Sequence, residues 1–301
     1  MALIKLIRLP NLVIVALTQY LLNYRIIQPG LARYHIDPLL DVNHFLTFML
    51  VTVLITAGGY IINDITDFKA DLINRPDRVI IHKKVSIQTA FWLYFVVNLV
   101  GFILALFLAY YVEQVMLANL YPLAAMGLYA YSLKLKKTPL WGNLLVGAYC
   151  AGVAGFIWFA ERGPFAQLSE IDPALASQIS IYLLFYLFFA FWTTLFREMV
   201  KDLEDWEGDQ RTDCRTLPLI WGIPKTKRLA LVIGFAAMGT MIGFGLLLFD
   251  NNWLFSCLLF LLVVLLGYAL FVLGKSNFRR VSLLTKLVMF GGVLLLLLIK
   301  L

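Results

Sequence analysis

Six aspartates fall into two sets of three with one spacing: Asp64, Asp67 and Asp71 in Asn63-Asp64-Ile65-Thr66-Asp67-Phe68-Lys69-Ala70-Asp71, and Asp202, Asp205 and Asp209 in Lys201-Asp202-Leu203-Glu204-Asp205-Trp206-Glu207-Gly208-Asp209. Positions i, i+3 and i+7 lie on one face of a helix. Like charges there repel by about a few tenths of a kcal/mol per pair in an exposed helix, and by more where water is scarce, so each face calls for a cation. A divalent metal meets that need. Carboxylate oxygens suit magnesium (Mg2+), which keeps several waters and is usually held by one or two carboxylates together with substrate phosphates. The competing reading is a solvated helix end, in which Arg197, Lys201 and Asp205 at i, i+4 and i+8 form a surface ion-pair ladder. Recurrence of the triad favours the metal.

These motifs sit in an unusual chain: 61% of its 301 residues are apolar and 14% charged, which lies outside the range of soluble domains. Most segments outside the loops are apolar runs of the length needed to cross a hydrocarbon core about 30 Å thick. Continuous rather than alternating runs imply helices, not barrel strands. Cys150, Cys214 and Cys257 are scattered, so no disulfide framework or thiolate site is expected. His35, His44 and His82 lack ligand spacing and read as loop or interfacial residues. Lys5 and Arg8 precede the first apolar run, with no small-residue cleavage site after it, so it reads as a span and not a leader.

Nine spans are expected, at 11–28, 44–63, 87–109, 114–133, 140–160, 178–197, 228–249, 252–274 and 281–300. The connecting loops then place 21 of the 25 Lys and Arg on one side and only Arg25, Arg33, Arg162 and Lys300 on the other. The positive-inside rule therefore puts the N-terminus in the cytoplasm, the C-terminus outside and both acidic motifs on the cytoplasmic side. The formal charge of +7 is thus a topology signal, with no nucleic-acid partner implied. The motifs follow spans two and six, which suggests two similar four-helix halves, about 1–137 and 138–274, and a ninth helix at 281–300, in one membrane domain with the active groups where the halves meet. The stretch 161–177 reads as a polar connector.

Carboxylates within a membrane are tolerable only at the interface or facing a wet cavity, so the triads imply a polar chamber. Its natural ligand is a diphosphate carried by magnesium, with Arg75, Arg78, Lys134, Lys136, Lys137, Arg197 and Lys201 available for the oxygens the metals leave free. A diphosphate in the membrane plane suggests a lipid diphosphate. Metals and cations aimed at the leaving oxygens ease cleavage of its carbon–oxygen bond. The allylic cation left behind suits aromatic faces, of which Tyr121, Tyr129, Tyr131, Trp141, Phe188, Phe189, Phe191 and Trp192 are a supply, most of them ordinary packing or belt residues.

The first motif, followed by Asn74-Arg75-Pro76-Asp77-Arg78, resembles the first signature of the UbiA superfamily of membrane prenyltransferases; the second, followed by Arg215-Thr216-Leu217-Pro218, resembles the second signature. Arg8-Leu9-Pro10-Asn11 resembles the start of that family's first helix, and Tyr131-Ser132-Leu133-Lys134 with Gly142-Asn143 its fourth-to-fifth helix connection. The resemblance implies an all-α membrane protein, a bundle of about nine helices around a central cavity open to the cytoplasmic side, with magnesium ions bridging the acidic motifs and an isoprenyl diphosphate. It implies metal ligands at Asn63, Asp64, Asp67, Asp71, Asp202, Asp205 and Asp209, with Asp64, Asp67, Asp202 and Asp205 catalytic. Substrate contacts are implied at Asn11, Arg75, Arg78, Tyr131, Lys134, Asn143, Arg197 and Lys201. One departure stands out: where the family usually has Pro, small residues and Gly, this chain reads Val79-Ile80-Ile81-His82-Lys83-Lys84.

The run from Arg197 to Asp209 resembles most the branch that makes digeranylgeranylglyceryl phosphate. That implies transfer of a geranylgeranyl group to a lipid acceptor, geranylgeranylglyceryl phosphate, in ether-lipid synthesis, in the cell membrane and with no obligate protein partner. An alcohol nucleophile loses its proton only as the cation captures it, so a weak base suffices. Two alternatives stand beside this: prenylation of an aromatic quinone precursor such as 4-hydroxybenzoate or a naphthoate, and, from another class, a secondary transporter with paired acidic sites.

Overall fold

The computed structural model describes residues 2–74, 79–211, 214–247 and 252–299, without the side chains of residues 69–71, 73, 74 and 115. Among the described residues the regular structure is helical apart from one isolated bridge between Ile81 and Val85. Seven helices are long and apolar enough to cross a membrane, so the chain is an integral, multi-pass membrane protein. They are α4 (Val42–Asn74, apolar over Val42–Phe68), α5 (Ile87–Tyr111), α7 (Trp141–Ala160), α9 (Pro173–Asp209), α11 (Ile223–Leu247), α12 (Trp253–Gly274) and α13 (Phe278–Leu298).

Two further expected spans are helical but outside those seven. The first is broken into α2 (Leu9–Leu22), a π-helical turn (Asn23–Ile27) and α3 (Gln28–Ala32), preceded by α1 (Ala2–Leu6). The fourth is α6 (Val115–Leu133), with Pro122 inside it and one backbone donor fewer. The expected connector at 161–177 carries α8 (Arg162–Ile171), whose Pro164 and Leu168, one turn apart, are buried. An apolar stripe of two residues in a polar stretch suffices to seat a short helix.

The chain forms two compact units. The first comprises Met1–Leu17 and Leu39–Lys136. Here α4, α5 and α6 each pack against the other two. Gly58 and Gly59 make this possible: a Cβ at Gly58 would fall 2.8 Å from Asn98 of α5, and one at Gly59 would fall 2.9 Å from Leu128 of α6. The stretch that departs from the family pattern is part of this core. Ile81 and Val85 cluster with Leu6, Ile61, Ile65 and Ala90, and the Phe68 and His82 rings lie 4.5 Å apart. Its apolar residues brace the end of α4 where the first acidic motif begins.

The second unit comprises Thr18–Pro38 and Lys137–Leu301. Its hub is α9, which packs against α7, α8, α11, α13 and the short α10 (Leu217–Trp221). Asp172 starts α9 by accepting from Leu175 N–H at 3.0 Å, ahead of Pro173, a residue suited to the first helical turn. Gly292 of α13 lies against the Phe189 ring, so close that a Cβ there would fall 2.2 Å from it.

α4 and α9 are unlike the other helices in length. At 1.5 Å per residue their 33 and 37 residues span roughly 50 and 55 Å, against a hydrocarbon core of about 30 Å. Each is therefore longer by several turns than one crossing needs, and each acidic motif lies toward the C-terminal end of its helix.

Candidate active site

In the first unit the acidic face of α4 is met by two cations. Arg8 has left-handed backbone, φ 53°, in the break between α1 and α2, a conformation uncommon for a residue with a side chain. From there its Nη2 donates to Asp64 Oδ1 at 2.9 Å, while its guanidinium lies 4.7 Å from the centre of the Tyr60 ring. Asn11 Nδ2 donates to the Tyr60 hydroxyl at 3.2 Å. Tyr60 and Asp64, one turn apart on α4, thus tie it to the start of α2.

One turn further, Lys136 closes on the motif. Its ammonium donates to Thr66 Oγ1 at 3.0 Å and Asn63 Oδ1 at 3.4 Å, and forms a short ion pair with Asp67. Lys136 belongs to the 3-10 turn Leu135–Lys137 that follows α6. The expected contact, Lys134, ends α6 with an exposed side chain, and Tyr131 stands half-buried one turn earlier. Lys136 is the lysine of this run that the fold turns onto the carboxylates. Asp71 lies on α4 with its side chain outside the described set, and Arg75 and Arg78 lie outside the described residues altogether.

In the second unit, Asn143 is buried in the first turn of α7, just after Leu140, whose φ is 67°. Its Nδ2 donates to Asp202 Oδ2 at 2.7 Å. Asp209 accepts from Thr216 Oγ1 at 3.2 Å, in the stretch fixed by Arg215 N–H donating to Lys137 C=O at 2.8 Å. Asp202, Asp205 and Asp209 are all half-buried, whereas Glu204 and Glu207 between them are exposed. The helix has turned its aspartate face inward and its glutamate face out. Arg197 and Lys201 both point to Glu198, at 2.7 and 3.3 Å.

The donors fit magnesium in kind, being oxygens of carboxylates and of one asparagine. Among the described residues no three of His, Cys, Asp and Glu converge as a ready-made metal cage. That suits an ion which takes one or two protein carboxylates and fills its shell with water and phosphate oxygens. Of the aromatic supply, Tyr121 packs on Gly101 and Phe189 on Gly292, while Tyr129, Trp141 and Phe188 are exposed.

Residues 31–292 match the model of the UbiA prenyltransferase family. The chain belongs to that family. Among its family relatives, the digeranylgeranylglyceryl phosphate synthase of Saccharolobus solfataricus is 34% identical over 197 residues, 64% of this chain and 62% of the synthase. The chain thus matches a little under two thirds of that relative's length. A solved structure described as giving structural and mechanistic insights into digeranylgeranylglyceryl phosphate synthase in membranes shares the fold, with a TM-score of 0.68 and 23% identity over 99% of this chain and 97% of that one. A UbiA homologue from Archaeoglobus fulgidus bound to DMAPP and Mg2+ shares it at a TM-score of 0.55 and 14% identity, over 98% and 99%.

Spacing alone singled out the two sets of aspartates, which lie on α4 and α9. It gave no role to Tyr60, Thr66 or Glu198, and placed Arg8 and Lys136 only within a motif and a basic face. The signal for Arg8 and Lys136 is charge balance: a half-buried carboxylate is stabilised by a cation, and these are the ones the turns deliver to Asp64 and Asp67.

Proposed function

We propose that this chain is a magnesium-dependent prenyltransferase that moves a geranylgeranyl group from its diphosphate to the hydroxyl of geranylgeranylglyceryl phosphate. The observation that carries the reading is the pair of half-buried acidic faces toward the C-terminal ends of α4 and α9, each held by hydrogen bonds from neighbouring helices or turns. Asn63, Asp64, Asp67 and Asp71 hold metal on the first, and Asp202, Asp205 and Asp209 on the second. Magnesium there supplies neutralisation of the charge that develops on the departing diphosphate.

The chain's own residues do the rest. Lys136 and Arg8, which pair with Asp67 and Asp64, would take diphosphate oxygens, as would Arg75, Arg78, Arg197 and Lys201; Glu198 pairs with the last two. The C1–O bond breaks with its electron pair leaving on diphosphate, the acceptor hydroxyl oxygen bonds to C1, and its proton passes to a carboxylate or to the released diphosphate. Asn11, Tyr131, Lys134 and Asn143 are the further substrate contacts in this reading. The chain works as a single domain with nine crossings, α2 to α3 and α6 included, its N-terminus in the cytoplasm and its C-terminus outside; the 21-to-4 distribution of cations supports this orientation.

The test offers purified protein magnesium and labelled geranylgeranyl diphosphate with geranylgeranylglyceryl phosphate or aromatic acids. Product from the glycerol lipid alone is expected. Product from an aromatic acid instead moves the chain to quinone synthesis, and no transfer without binding of the diphosphate refutes the prenyltransferase reading. Asp64→Ala and Asp202→Ala are each expected to abolish turnover with folding intact.

A further inference from the structure

We propose that the ends of α11, α12 and α13 that carry Lys225, Arg228, Arg279 and Arg280 form a binding surface for the anionic headgroups of membrane lipids, separate from the acidic motifs. From Leu217 to Leu301 the chain holds eight Lys and Arg and a single acidic residue, Asp250, which lies in the stretch joining the other ends of α11 and α12. The fold gathers six of the eight. Lys227 of α11 donates to Gly274 C=O and, at 3.0 Å, to Ser276 Oγ, which sets the first turn of α11 beside the turn between α12 and α13. Lys225 stands in that first turn and Arg228 in the next, Lys275 in the connecting turn, and Arg279 and Arg280 in the first turn of α13.

Not all of these cations need a partner from outside. Lys227 and Lys275 sit at the carbonyl end of α12, where a positive charge is favoured. The other four stand at the amino ends of α11 and α13, the positive poles of their helices, where a cation is disfavoured. Lys225, Arg228, Arg279 and Arg280 are exposed, and none has a carboxylate partner among the described residues. Two positive helix poles and four such cations at one place call for an anion.

The surroundings specify which. These helices cross the membrane, so their ends lie at headgroup level. Directly below, α12 exposes Tyr268 and Phe271, with Arg280 over the first ring at 5.4 Å and Lys275 over the second at 4.5 Å. α13 exposes Leu283 and Leu287 beneath Arg279 and Arg280. Cations above a lipid-facing apolar surface match a phosphate headgroup above its acyl chains.

The test uses the full-length protein in neutral detergent with an equimolar mixture of phosphatidylglycerol and phosphatidylcholine, counting bound lipids by native mass spectrometry. The wild type is expected to prefer phosphatidylglycerol, and Arg279→Gln/Arg280→Gln to lose that preference by roughly fivefold per cation removed. Lys225→Gln/Arg228→Gln is expected to do the same. Equal retention of both lipids by the wild type, or an unchanged preference in both variants, overturns the proposal. So does competition by inorganic phosphate at matched concentration, which would make this an ion site. Should the variants not fold, the wild type at rising salt decides: a preference that salt leaves untouched is not electrostatic and refutes the surface.

Discussion

Asp67 and Asp64 carry the chain's own cations, so a metal at these carboxylates would have to compete with Lys136 and Arg8. Removing the ammonium with Lys136→Met should ease metal entry while costing the diphosphate a charge-assisted bond of about 1.5 to 3 kcal/mol. The expected outcome is a KM for the prenyl diphosphate raised by roughly ten- to a hundredfold, with half-saturation at lower magnesium. Kinetics at varied magnesium check it; an unchanged KM would make Lys136 merely structural. Asn143 is the counterpart on the other motif, since it donates to Asp202 at 2.7 Å. Asn143→Asp sets a second carboxylate against the first, and activity should fall and return in part at high magnesium. The aspartates were legible in the sequence because i, i+3, i+7 is a local rule. Lys136 was not singled out, because nothing in Lys134-Leu135-Lys136-Lys137 says which lysine a short turn aims at residues some seventy positions away. Arg8 owes its aim to a left-handed backbone that no pattern around it signals.

At the scale of the element, apolar runs and their breaks gave the long helices, because a span of lipid length must be apolar throughout. What they hid was local. The π-helical turn at Asn23–Ile27 carries Asn23 and Arg25 but no Gly or Pro that would mark a change of helix type, and α8 declares itself only through Pro164 and Leu168. Close approach is equally silent until the partner is known: Gly292 is one more small residue until Phe189 is seen against it. Gly292→Ala should push α13 from α9 and cost about 1 to 3 kcal/mol, read as a lower Tm in detergent. Asn23, buried with neither amide atom bonded to a partner, predicts the reverse. Asn23→Leu should be neutral or stabilising, since removing an unsatisfied buried group costs little or gains. The start of α9 gives a pH dependence. Tyr34 donates to Asp172 at 2.6 Å, which holds the Asp172 carboxyl below its ordinary range and the Tyr34 hydroxyl above its own. A depressed carboxyl contributes stability above its unfolded value and loses it as pH falls through the folded one; a raised tyrosine contributes below its unfolded value and loses it as pH rises. The Tm deficit of Tyr34→Phe should therefore be level between about pH 5 and 9 and shrink as pH falls through and below the ordinary carboxyl range. A deficit independent of pH would assign it to packing.

For the whole molecule, the contest is between an enzyme that binds a metal diphosphate and a transporter with paired acidic sites. Transporters place coupling carboxylates near the membrane midplane in broken helices. Here the broken segment, Asn23–Ile27, carries no carboxylate, and the acidic triads stand on unbroken helices longer than one crossing needs. An acidic face so placed can hold metal at the level of a lipid diphosphate. Linkage turns this into a measurement. A ligand that binds only the folded state stabilises by RT ln(1 + [L]/Kd), about 2.7 kcal/mol at a hundredfold excess over Kd. Magnesium and geranylgeranyl diphosphate added together should raise Tm by several degrees, and each alone by much less, because the diphosphate oxygens complete a shell the carboxylates leave open. Asp64→Ala and Asp202→Ala should each erase the joint increment. A joint shift no larger than the sum of the two separate shifts would mean that metal and diphosphate do not share a site. That result would remove the physical basis for reading these carboxylates as the carriers of a prenyl diphosphate.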